Sequence, residues 1–381
     1  MRVALYHPWI YLRSGLERSI VELVHRSRHD WILLTHHFEP DSTYPELAAA
    51  DVRELTPRIS VRRSFRPLVS AAATLARAKL PLDGAQALLV SSEGFGDLVA
   101  PHVAVPVAAY CHTPLKILHD PATRAALVAS DPAKRLALGV LGPLFERVDR
   151  RAWRSYRHVF ANSNETLQRI EAAHLQPSGP VEVLYPGVDL GRFPPGPLTG
   201  REAFVLLAGR IMWQKDVELA LEALTVLKER GEPARLVVAG AVDVKSRPYL
   251  AELRGRAEGL DVEFVVDPTD EQLGELYRSC AAALFTARNE DFGIVPLEAM
   301  ASGTPVIAVS SGGPRETVID GFTGWLLPRD PAAFADRIAL CLAAGDDLVR
   351  MRRAAIRRAG DFGWDRFAER IDDVLEEMAR A

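Results

Sequence analysis

Short apolar segments alternate with helix-like segments along this chain of 381 residues. Strands separated by helices form parallel sheets covered on both faces, so the alternation predicts an α/β fold. A chain of this length with 48% hydrophobic residues exceeds what one ordinary core accommodates, which predicts two domains. The predicted strands are Val3–Tyr6, Trp31–Thr35, Ala87–Ser91, Val105–Tyr110, Val159–Ala161 and Val181–Leu184 in the first half, and Phe204–Ala208, Arg235–Ala239, Val262–Val266, Ala282–Thr286 and Pro305–Val309 in the second.

The boundary between the two domains is predicted near LGRFPPGPLTGRE (Leu190–Glu202). Pro and Gly recur in this segment, and both interrupt regular secondary structure. The segment therefore separates two β/α units of similar size.

Two glutamates of the second unit lie on either side of a Phe-Gly turn, in ARNEDFGIVPLEAMASGTPVIAV (Ala287–Val309). Pro is tolerated at the first position of a helix, so Pro296 predicts a helix start. This start puts Glu298 in the first helical turn and Glu290 in the preceding loop. The alternative is a solvated loop acid followed by an ordinary first-turn acid that the helix dipole favours.

The same helix start leaves backbone amides without helical partners, at Gly293, Ile294 and Val295. Such amides form an anion site. A phosphate held between two carboxylates that bind hydroxyl groups suggests a sugar nucleotide as ligand.

A second polar cluster lies upstream, in LLAGRIMWQKDVELALEAL (Leu206–Leu224). The apolar run before it reads as a buried strand that ends in a Gly turn, and a helix is predicted from Val217. Arg210 and Lys215 then lie in a loop at the carboxyl end of a strand, where ligands of open α/β sheets bind. An arginine fork and a lysine point charge suit a diphosphate, and the alternative is two solvated loop cations.

Taken in order, these motifs resemble those of the retaining glycosyltransferases of family 4. The likeness covers nearly the whole chain, and the ordered set is more specific than any single motif. The motifs are SGLE (Ser14–Glu17), YCHTP (Tyr110–Pro114), ANSNET (Ala161–Thr166), YPGVD (Tyr185–Asp189), GRIMWQK, the glutamate segment, SGGPRETVIDGFTGWL (Ser311–Leu326) and FGWDRF (Phe362–Phe367).

The resemblance implies the GT-B fold, in which two Rossmann-like β/α/β domains face each other across a cleft. It implies an N-terminal, acceptor-side domain of residues 1–190 that is completed by a returning C-terminal helix of residues 362–381. Residues 191–361 would form the C-terminal domain that binds the nucleotide sugar.

The resemblance also assigns roles to the polar residues of the second domain. Glu298 would bind the ribose hydroxyls of the donor and Glu290 the hydroxyls of its sugar. Arg210 and Lys215 would neutralise the diphosphate as it leaves. The implied catalytic residues are His112, Arg210, Lys215 and Glu290. The implied donor-binding residues are Gly15, Arg210, Lys215, Val266, Phe292, Gly293, Ile294, Val295 and Glu298.

Three further residues of the first domain take their roles from the resemblance. His112 of YCHTP would contact the transferred sugar, and the alternative is a hydrogen-bonded core histidine. Gly15 would bring backbone close to the diphosphate. Many family members have two glycines where this chain has Ser14-Gly15, so the sequence departs from the pattern there. Glu17 would contact the acceptor.

The implied reaction is transfer of a hexose with retention of anomeric configuration. The acceptor hydroxyl attacks from the face that the diphosphate leaves, and a diphosphate oxygen takes its proton. Because cations and amides of the protein neutralise the leaving group, neither a cofactor nor a metal ion is expected. Glycoside hydrolysis by the two glutamates is disfavoured, since Arg210 and Lys215 would have no task in it.

The donor and acceptor are less constrained than the reaction. YCHTP and the segment before it resemble the corresponding segment of bacterial mannosyltransferases. This resemblance favours GDP-mannose as the donor. A UDP-sugar-dependent transferase of the same fold is the alternative, because backbone near Val266–Thr269 would choose the base. A nucleotide-sugar epimerase and a catalytically silent binding module are less favoured. The acceptor would be a glycan, a lipid-linked sugar or a small molecule.

Charge and composition bear on other partners and on location. The formal net charge is −4 and no basic stretch is interleaved with stacking aromatics, so nucleic acid binding is not expected. The three cysteines are widely spaced among apolar neighbours, which indicates reduced thiols in a cytoplasmic protein. The start of the chain reads as a first strand and not as a signal peptide.

Two groups of arginines lie in the first half of the chain. Five of them recur every three or four residues and predict a basic helix face, and three precede an alanine-rich stretch. Such faces can approach an acidic acceptor or anionic lipid, which would place the protein at the inner face of the membrane, and the alternative is a solvated helix surface. The first group is Arg147, Arg150, Arg151, Arg154 and Arg157, and the second is Arg62, Arg63 and Arg66.

Overall fold

The computed structural model describes residues 1–60, 65–128, 132–343 and 346–381. The chain forms two compact units. The first contains Met1–Pro186 and Trp364–Ala381, and the second contains Gly187–Gly363. The sequence predicted a second domain of residues 191–361. Its predicted start lies four residues after the start of the second unit, and its predicted end lies two residues before the end of that unit.

Within the described residues, the first unit is built on a seven-stranded parallel sheet of order β3-β2-β1-β4-β5-β6-β7. Its strands are β1 (Arg2–Tyr6), β2 (Asp30–Thr35), β3 (Val52–Glu54), β4 (Leu88–Ser92), β5 (Val107–Cys111), β6 (Tyr156–Ala161) and β7 (Val181–Val183). Central strands such as β4 and β5 are buried along their whole length, because both faces of a parallel sheet are covered.

Helices connect these strands. They are α1 (Gly15–Arg26), α2 (Pro45–Ala48), α3 (Phe65–Leu75), α4 (Lys116–His119), α5 (Pro121–Val128), α6 (Pro132–Trp153) and α7 (Asn164–Ala172), with 3-10 turns at Pro40–Ser42 and Phe95–His102.

The second unit has a six-stranded parallel sheet in the described residues, of order β10-β9-β8-β11-β12-β13. Its strands are β8 (Glu202–Ala208), β9 (Arg235–Gly240), β10 (Asp261–Val266), β11 (Cys280–Phe285), β12 (Val306–Val309) and β13 (Gly324–Leu327). Its helices are α8 (Val217–Glu229), α9 (Arg247–Arg256), α10 (Asp270–Ser279), α11 (Val295–Ala301), α12 (Pro314–Thr317), α13 (Pro331–Leu342) and α14 (Asp346–Ala359), with a 3-10 turn at Trp213–Lys215, and the last helix of the chain is α15 (Trp364–Arg380).

The last helix, α15, packs on α1 and belongs to the first unit. Buried Asp372 of α15 accepts hydrogen bonds from Ser27 Oγ at 2.6 Å and from the Arg28 amide at 2.9 Å, directly after the end of α1. The ring of Phe367 lies 5.0 Å from that of Tyr110, centroid to centroid, on β5. Polar and aromatic contacts together therefore fix the carboxy-terminal segment on the amino-terminal sheet.

Two edge strands, β3 and β13, were not predicted from the sequence. β3 has the sequence VRE and is only partly buried, so it lacks the apolar run by which the other strands are recognised. β13 has the sequence GWLL, is four residues long and follows turn residues. Both lie at the edge of a sheet, where burial constrains the sequence least.

The basic helix face expected from five arginines is only partly formed, so this prediction is wrong in its extent. Arg147, Arg150 and Arg151 lie on α6, but the helix ends before Arg154, and Arg157 lies on β6. The buried run of β6 pairs with β5, which ends the helical spacing on which the prediction was based.

The second arginine group cannot be compared in the same way. Arg62 and Arg63 lie outside the described residues, and so does the side chain of Arg66. The basic surface expected there stays a prediction. In the parts of the chain that are described, no helix has both the length and the apolar composition that crossing a bilayer requires.

A buried carboxyl group lies in the core of the first unit. Asp97 is fully buried and accepts hydrogen bonds from Trp153 Nε1 at 3.2 Å and Tyr156 Oη at 2.5 Å. Burial is the main cause that raises the pKa of Asp97 to about 7, and the nearby carboxyl of Asp149 raises it further. Asp149 is itself buried, and its Oδ2 lies 2.7 Å from His119 Nε2.

We expect Asp97 to make the stability of the first unit depend on pH. Its pKa in the folded state, about 7, exceeds the ordinary value of 3.8, so the folded state keeps a proton that the unfolded chain has lost between these pH values. The stabilisation is complete below about pH 4 and is lost as the pH rises through about 7. Asp97→Asn should flatten this decline by up to about 1 kcal/mol per pH unit, measured as the free energy of unfolding in denaturant at several pH values.

A matched control for this experiment is Asp30→Asn, because the Asp30 side chain is 70% exposed. The control should keep the pH dependence of the unmodified protein. An Asp97→Asn protein that still loses stability between pH 4 and 7 with the same slope would contradict the assignment.

Candidate functional site

The candidate site lies where the strand order of the second sheet reverses. β8 and β11 are paired neighbours, and the chain continues from them toward opposite edges of the sheet. Loops that follow two such strands leave a crevice at their carboxyl ends, which is where open α/β sheets bind ligands. The loop of residues 209–216 follows β8, and the loop of residues 286–294 follows β11.

Hydrogen bonds join these two loops. The Arg288 amide donates to the Gln214 carbonyl at 2.8 Å, and Thr286 Oγ1 donates to the Lys215 carbonyl at 2.6 Å. Lys215 Nζ then lies 2.8 Å from Glu290 Oε2. The two side chains are 17% and 26% exposed, so this ion pair faces solvent only in part. The structure thus brings together two of the residues that the sequence predicted.

The ammonium of Lys215 has surroundings that keep it in place. Its Nζ lies 5.5 Å from the centre of the Phe285 ring, within the range of a cation–π contact. Gly209 precedes the loop with φ = +127°, a backbone conformation that side chains disfavour. A Cβ at Gly209 would lie 3.7 Å from Lys215 Cε, so the glycine backs directly onto the lysine side chain.

A buried carboxylate next to Lys215 holds both loops. Asp216 is 1% exposed and has φ = +49°, in the left-handed region that Asp and Asn adopt more readily than most residues. It accepts two hydrogen bonds from Arg288, at 2.7 and 2.8 Å, and two from Arg329, at 2.6 and 3.0 Å. Burial alone would raise the pKa of Asp216, but the hydrogen bonds from Arg329 and Arg288 outweigh it and lower the pKa. Asp216 is therefore the charged centre of a clamp that includes residues from both loops and from the segment after β13.

Two glycines fix the glutamate loop from its other side. A Cβ at Gly312 would lie 2.1 Å from the Glu290 carbonyl oxygen, and one at Gly313 would lie 2.0 Å from the Phe292 carbonyl oxygen. The Gly313 amide donates to the Glu290 carbonyl at 3.2 Å. Side chains at either position would displace the loop that carries Glu290.

The sequence reasoning did not assign roles to the clamp or to the glycines. The motif SGGPRE was quoted as part of the resemblance, which is the signal that could have pointed to Gly312 and Gly313. Asp216 follows Lys215 directly in the loop, and its burial carries no sequence signal. Arg288 and Arg329 are far apart in the sequence, so their meeting on one carboxylate becomes visible only in the fold.

Glu298 lies in the first turn of α11, as the position of Pro296 predicted. Its Oε2 accepts a hydrogen bond of 3.0 Å from Tyr277 Oη, and Tyr277 is fully buried. This bond fixes one oxygen of the carboxylate and orients the group at the amino-terminal end of the helix.

Arg210 is exposed, at the carboxyl end of β8 and directly after Gly209. Its charge acts on Asp243. Burial acts to raise the pKa of Asp243, but hydrogen bonds from Ser246 and the charge of Arg210 lower it. The charge of Arg210 thus acts on the segment that follows β9.

The remaining predicted donor residues of this unit lie around the same strand ends. Val266 ends β10, is 38% exposed and is paired with Gly240. Phe292 is buried, and its ring centre lies 6.2 Å from that of Phe362. Gly293 has φ = +80°, and Ile294 and Val295 open α11, where the first helical amides lack intrahelical partners.

The predicted residue His112 lies directly after β5 of the first unit. Its Nε2 is 3.0 Å from Ser91 Oγ, and the carbonyl of Ser91 is 2.9 Å from His7 Nδ1. Burial, with a smaller contribution from the charge of His7, lowers the pKa of His112 to about 3. The imidazole of His112 is therefore uncharged near neutral pH, where one ring nitrogen can donate a hydrogen bond and the other can accept one.

Gly15 and Glu17 lie in the first turn of α1, after the N-cap residue Ser14. Gly15 is exposed. The Glu17 carboxylate is 3% exposed and accepts a hydrogen bond from Ser14 Oγ. Burial raises the pKa of Glu17, against the opposing effects of His7 and Ser14. The observed role of Glu17 is in the cap of α1, and its contact with an acceptor stays a prediction.

Two family models match consecutive parts of this chain. The model described as Glycosyltransferase Family 4 matches residues 13–192. The model described as Glycosyl transferases group 1 matches residues 193–358. The second match contains the whole candidate site around Lys215 and Glu290.

Curated proteins and solved structures give similar matches. D-inositol 3-phosphate glycosyltransferase from Streptomyces avermitilis is 36% identical over 245 residues, which is 58% of this chain and 52% of that protein. Alpha-1,3/1,6-mannosyltransferase ALG2 from Homo sapiens is 36% identical over 186 residues, 44% of each chain. The chain thus spans about half the length of these curated relatives. Sucrose-phosphate synthase from Thermosynechococcus elongatus shares the fold, with a TM-score of 0.75 at 20% identity over 99% of this chain and 98% of that one.

We expect Asp216→Asn to destabilise the second unit. Asn keeps the shape and the left-handed backbone conformation, but it removes the charge that binds Arg288 and Arg329. The loss should be on the order of 2 kcal/mol in the free energy of unfolding, measured in denaturant, because the two arginines are partly exposed and regain water.

The control for this variant is Glu252→Gln, which breaks an exposed pair with Arg256 on α9. It should change the free energy of unfolding by less than about 1 kcal/mol. Equal losses in the two variants would show that the Asp216 clamp is no stronger than an ordinary surface pair.

Proposed function

Because the chain belongs to the family 4 glycosyltransferases and has their GT-B fold, we propose that it transfers a hexose from a nucleotide diphosphate sugar to a hydroxyl group with retention of configuration. The favoured donor is GDP-mannose. The acceptor is a glycan, a lipid-linked sugar or a small molecule.

The observation that carries this proposal is the pairing of Lys215 with Glu290 at the carboxyl ends of β8 and β11. An ammonium has three N–H groups, so Lys215 has two beyond the one directed at Glu290. A carboxylate accepts hydroxyl hydrogens. One group thus suits a phosphate and its neighbour suits a sugar hydroxyl, as the two parts of a sugar nucleotide require.

The surrounding charges support an anionic leaving group. Lys215, Arg288 and Arg329 are the cations of this cluster, and three carboxylates oppose them, including Glu222 at 3.7 Å from Arg329. Negative charge develops on the diphosphate as the glycosidic bond breaks, and preorganised cations stabilise it without reorganisation. Arg210, exposed on the same loop, adds a further cation.

Retention is implied by the resemblance to the family, and the same electrostatics support independence from metal. A leaving diphosphate that Lys215 and Arg210 neutralise needs no divalent ion. The acceptor hydroxyl attacks from the face that the diphosphate leaves, and a diphosphate oxygen takes the proton. A neutral His112, with its low pKa, suits a hydrogen bond to a sugar hydroxyl better than proton transfer.

The choice of donor rests on similarity. The human relative is named a mannosyltransferase, which supports mannose and therefore GDP-mannose. The name of the Streptomyces avermitilis relative concerns the acceptor instead. It contains an inositol phosphate, which supports a small polar acceptor for this chain. A UDP-sugar donor is the alternative, because Val266 and its neighbours would contact the base through backbone groups.

The cysteines support a cytoplasmic location for this activity. Cys111, Cys280 and Cys341 are all buried and form no disulfide bond, as is usual in a reducing compartment.

We expect GDP to bind more tightly than UDP, by roughly tenfold or more, since a donor-specific site contacts the base. Calorimetric titration with each nucleotide, in the presence and absence of a chelator, measures this difference. Tighter binding of UDP would overturn the choice of donor. Loss of binding with chelator would overturn the metal-free mechanism and leave the transferase assignment intact.

The two glutamates should separate binding from turnover. Glu298→Ala removes the proposed ribose contact and should weaken nucleotide binding by roughly tenfold to a hundredfold. Glu290→Gln should lower kcat by on the order of a hundredfold with a smaller change in nucleotide affinity, because it acts on the sugar and on Lys215. Steady-state kinetics with calorimetry measures both.

A control for these variants is Glu263→Gln, whose side chain is 51% exposed on β10. It should leave both quantities unchanged. If neither Glu298→Ala nor Glu290→Gln changed affinity or turnover, the site assignment would be refuted.

A further inference from the structure

A stripe of exposed apolar side chains runs along α6 of the first unit. Leu136, Val140, Leu144 and Val148 follow one another at intervals of four residues, which places them on one face of the helix. Their exposed fractions are 71, 66, 58 and 41%, and neighbouring Leu141 is 38% exposed.

This concentration is not typical of a solvated helix. Thirteen large apolar side chains are exposed among the described residues, and five of them lie on α6. Scattered exposed apolar residues are ordinary, whereas a contiguous patch marks a surface that another body covers. A helix in contact with water alone carries polar residues on its outer face.

The same face is cationic. Arg147 and Arg151 are exposed, each three residues after a member of the apolar stripe. The sequence of α6 contains two acidic residues, Glu146 and Asp149, and both lie on other sides of the helix. Asp149 is buried against His119, and Glu146 Oε2 lies 3.5 Å from Arg150.

The opposite face of α6 is attached to the core. Trp153 is fully buried at the end of the helix and donates a hydrogen bond to Asp97. The ring of Phe145 lies 5.6 Å from that of Phe95, centroid to centroid. The exposed stripe is therefore the outer side of a helix whose inner side already has its packing partners.

We propose that the outer face of α6, defined by Leu136, Val140, Leu141, Leu144, Arg147, Val148 and Arg151, docks on the surface of an anionic phospholipid bilayer. The apolar side chains enter the boundary between headgroups and acyl chains, as they do in helices that lie in the plane of a membrane. The arginines extend their stems along the apolar surface and place their guanidinium groups at lipid phosphates.

The charges favour a lipid surface over a second copy of this chain. A symmetric dimer through this face would place the same patch of both copies together. Arg147 and Arg151 of one copy would then meet those of the other, with no acidic residue on the face to compensate. An anionic bilayer compensates these charges and covers the apolar stripe at the same time.

Sedimentation of the full chain with phospholipid vesicles tests the proposal. We expect binding to vesicles of mixed phosphatidylglycerol and phosphatidylcholine and little binding to phosphatidylcholine alone. The double variants Val140→Ser with Leu144→Ser, and Arg147→Gln with Arg151→Gln, should each reduce partitioning by roughly tenfold. The arginine variant should also lose the dependence of binding on salt.

Matched controls exist in the second unit. Val244→Ser changes an apolar side chain that is 75% exposed, and Arg256→Gln changes an exposed arginine of α9. Both should bind vesicles as the unmodified protein does, and all variants should keep its melting temperature.

Three outcomes would overturn the proposal. One is an unmodified protein that stays in solution with anionic vesicles. Another is equal partitioning of the α6 variants and the controls. The third is a dimer, seen by light scattering, that the Val140 and Leu144 changes convert to a monomer, which would assign the face to a second copy of the chain.

Discussion

The parallel pairing of β8 with β11 is the contact on which the candidate site depends. These two strands are neighbours in the sheet, yet the chain continues from them in opposite directions. The helices that follow therefore diverge and leave the two loops side by side at the carboxyl ends of the strands. Backbone bonds between Arg288 and Gln214 and between Thr286 and Lys215 then set the distance between the loops.

The ion pairs of Asp216 stabilise this arrangement of the two loops further. The carboxylate of Asp216 binds two arginines at once, because each of its oxygens accepts a hydrogen bond from Arg288 and one from Arg329. The clamp thus ties three segments together next to Lys215. On the far side, Gly312 and Gly313 let backbone approach the glutamate loop at distances that exclude side chains. The Asp216 ion pairs and the close packing at Gly312 and Gly313 together hold the loops that carry Lys215 and Glu290 in place.

The sequence predicted the elements whose burial is strongest. Central strands are continuous apolar runs, so their existence and order in the chain were recognisable, while β3 and β13 at the sheet edges were not. Pro296 was enough to place Glu298 in the first turn of α11, because proline has few other positions in a helix. The apolar run and Gly turn before Arg210 were enough to place Arg210 and Lys215 in the loop after β8.

Features that depend on long-range contacts could not be predicted in the same way. Asp216 is distinguished by two partners that lie more than seventy residues away, and nothing in its neighbourhood indicates burial. The burial of Glu17 within the cap of α1 could not be predicted, and its contact with an acceptor stays a prediction. The arginine spacing predicted a helix that continued beyond Trp153, where α6 ends. The spacing of charged residues alone does not indicate where a buried strand such as β6 begins.

The contact between Lys215 and Glu290 has a consequence for selectivity. An anion that approaches this ammonium finds it already provided with an internal counter-ion, and must displace that carboxylate or share the cation with it. A bare inorganic anion gains little by doing so, because Glu290 would be left beside it with like charge. A molecule that offers phosphate to the lysine and, a few ångströms further on, hydroxyl hydrogens to the glutamate satisfies both groups. The resting ion pair would thus favour esters of this composite kind over bare inorganic anions.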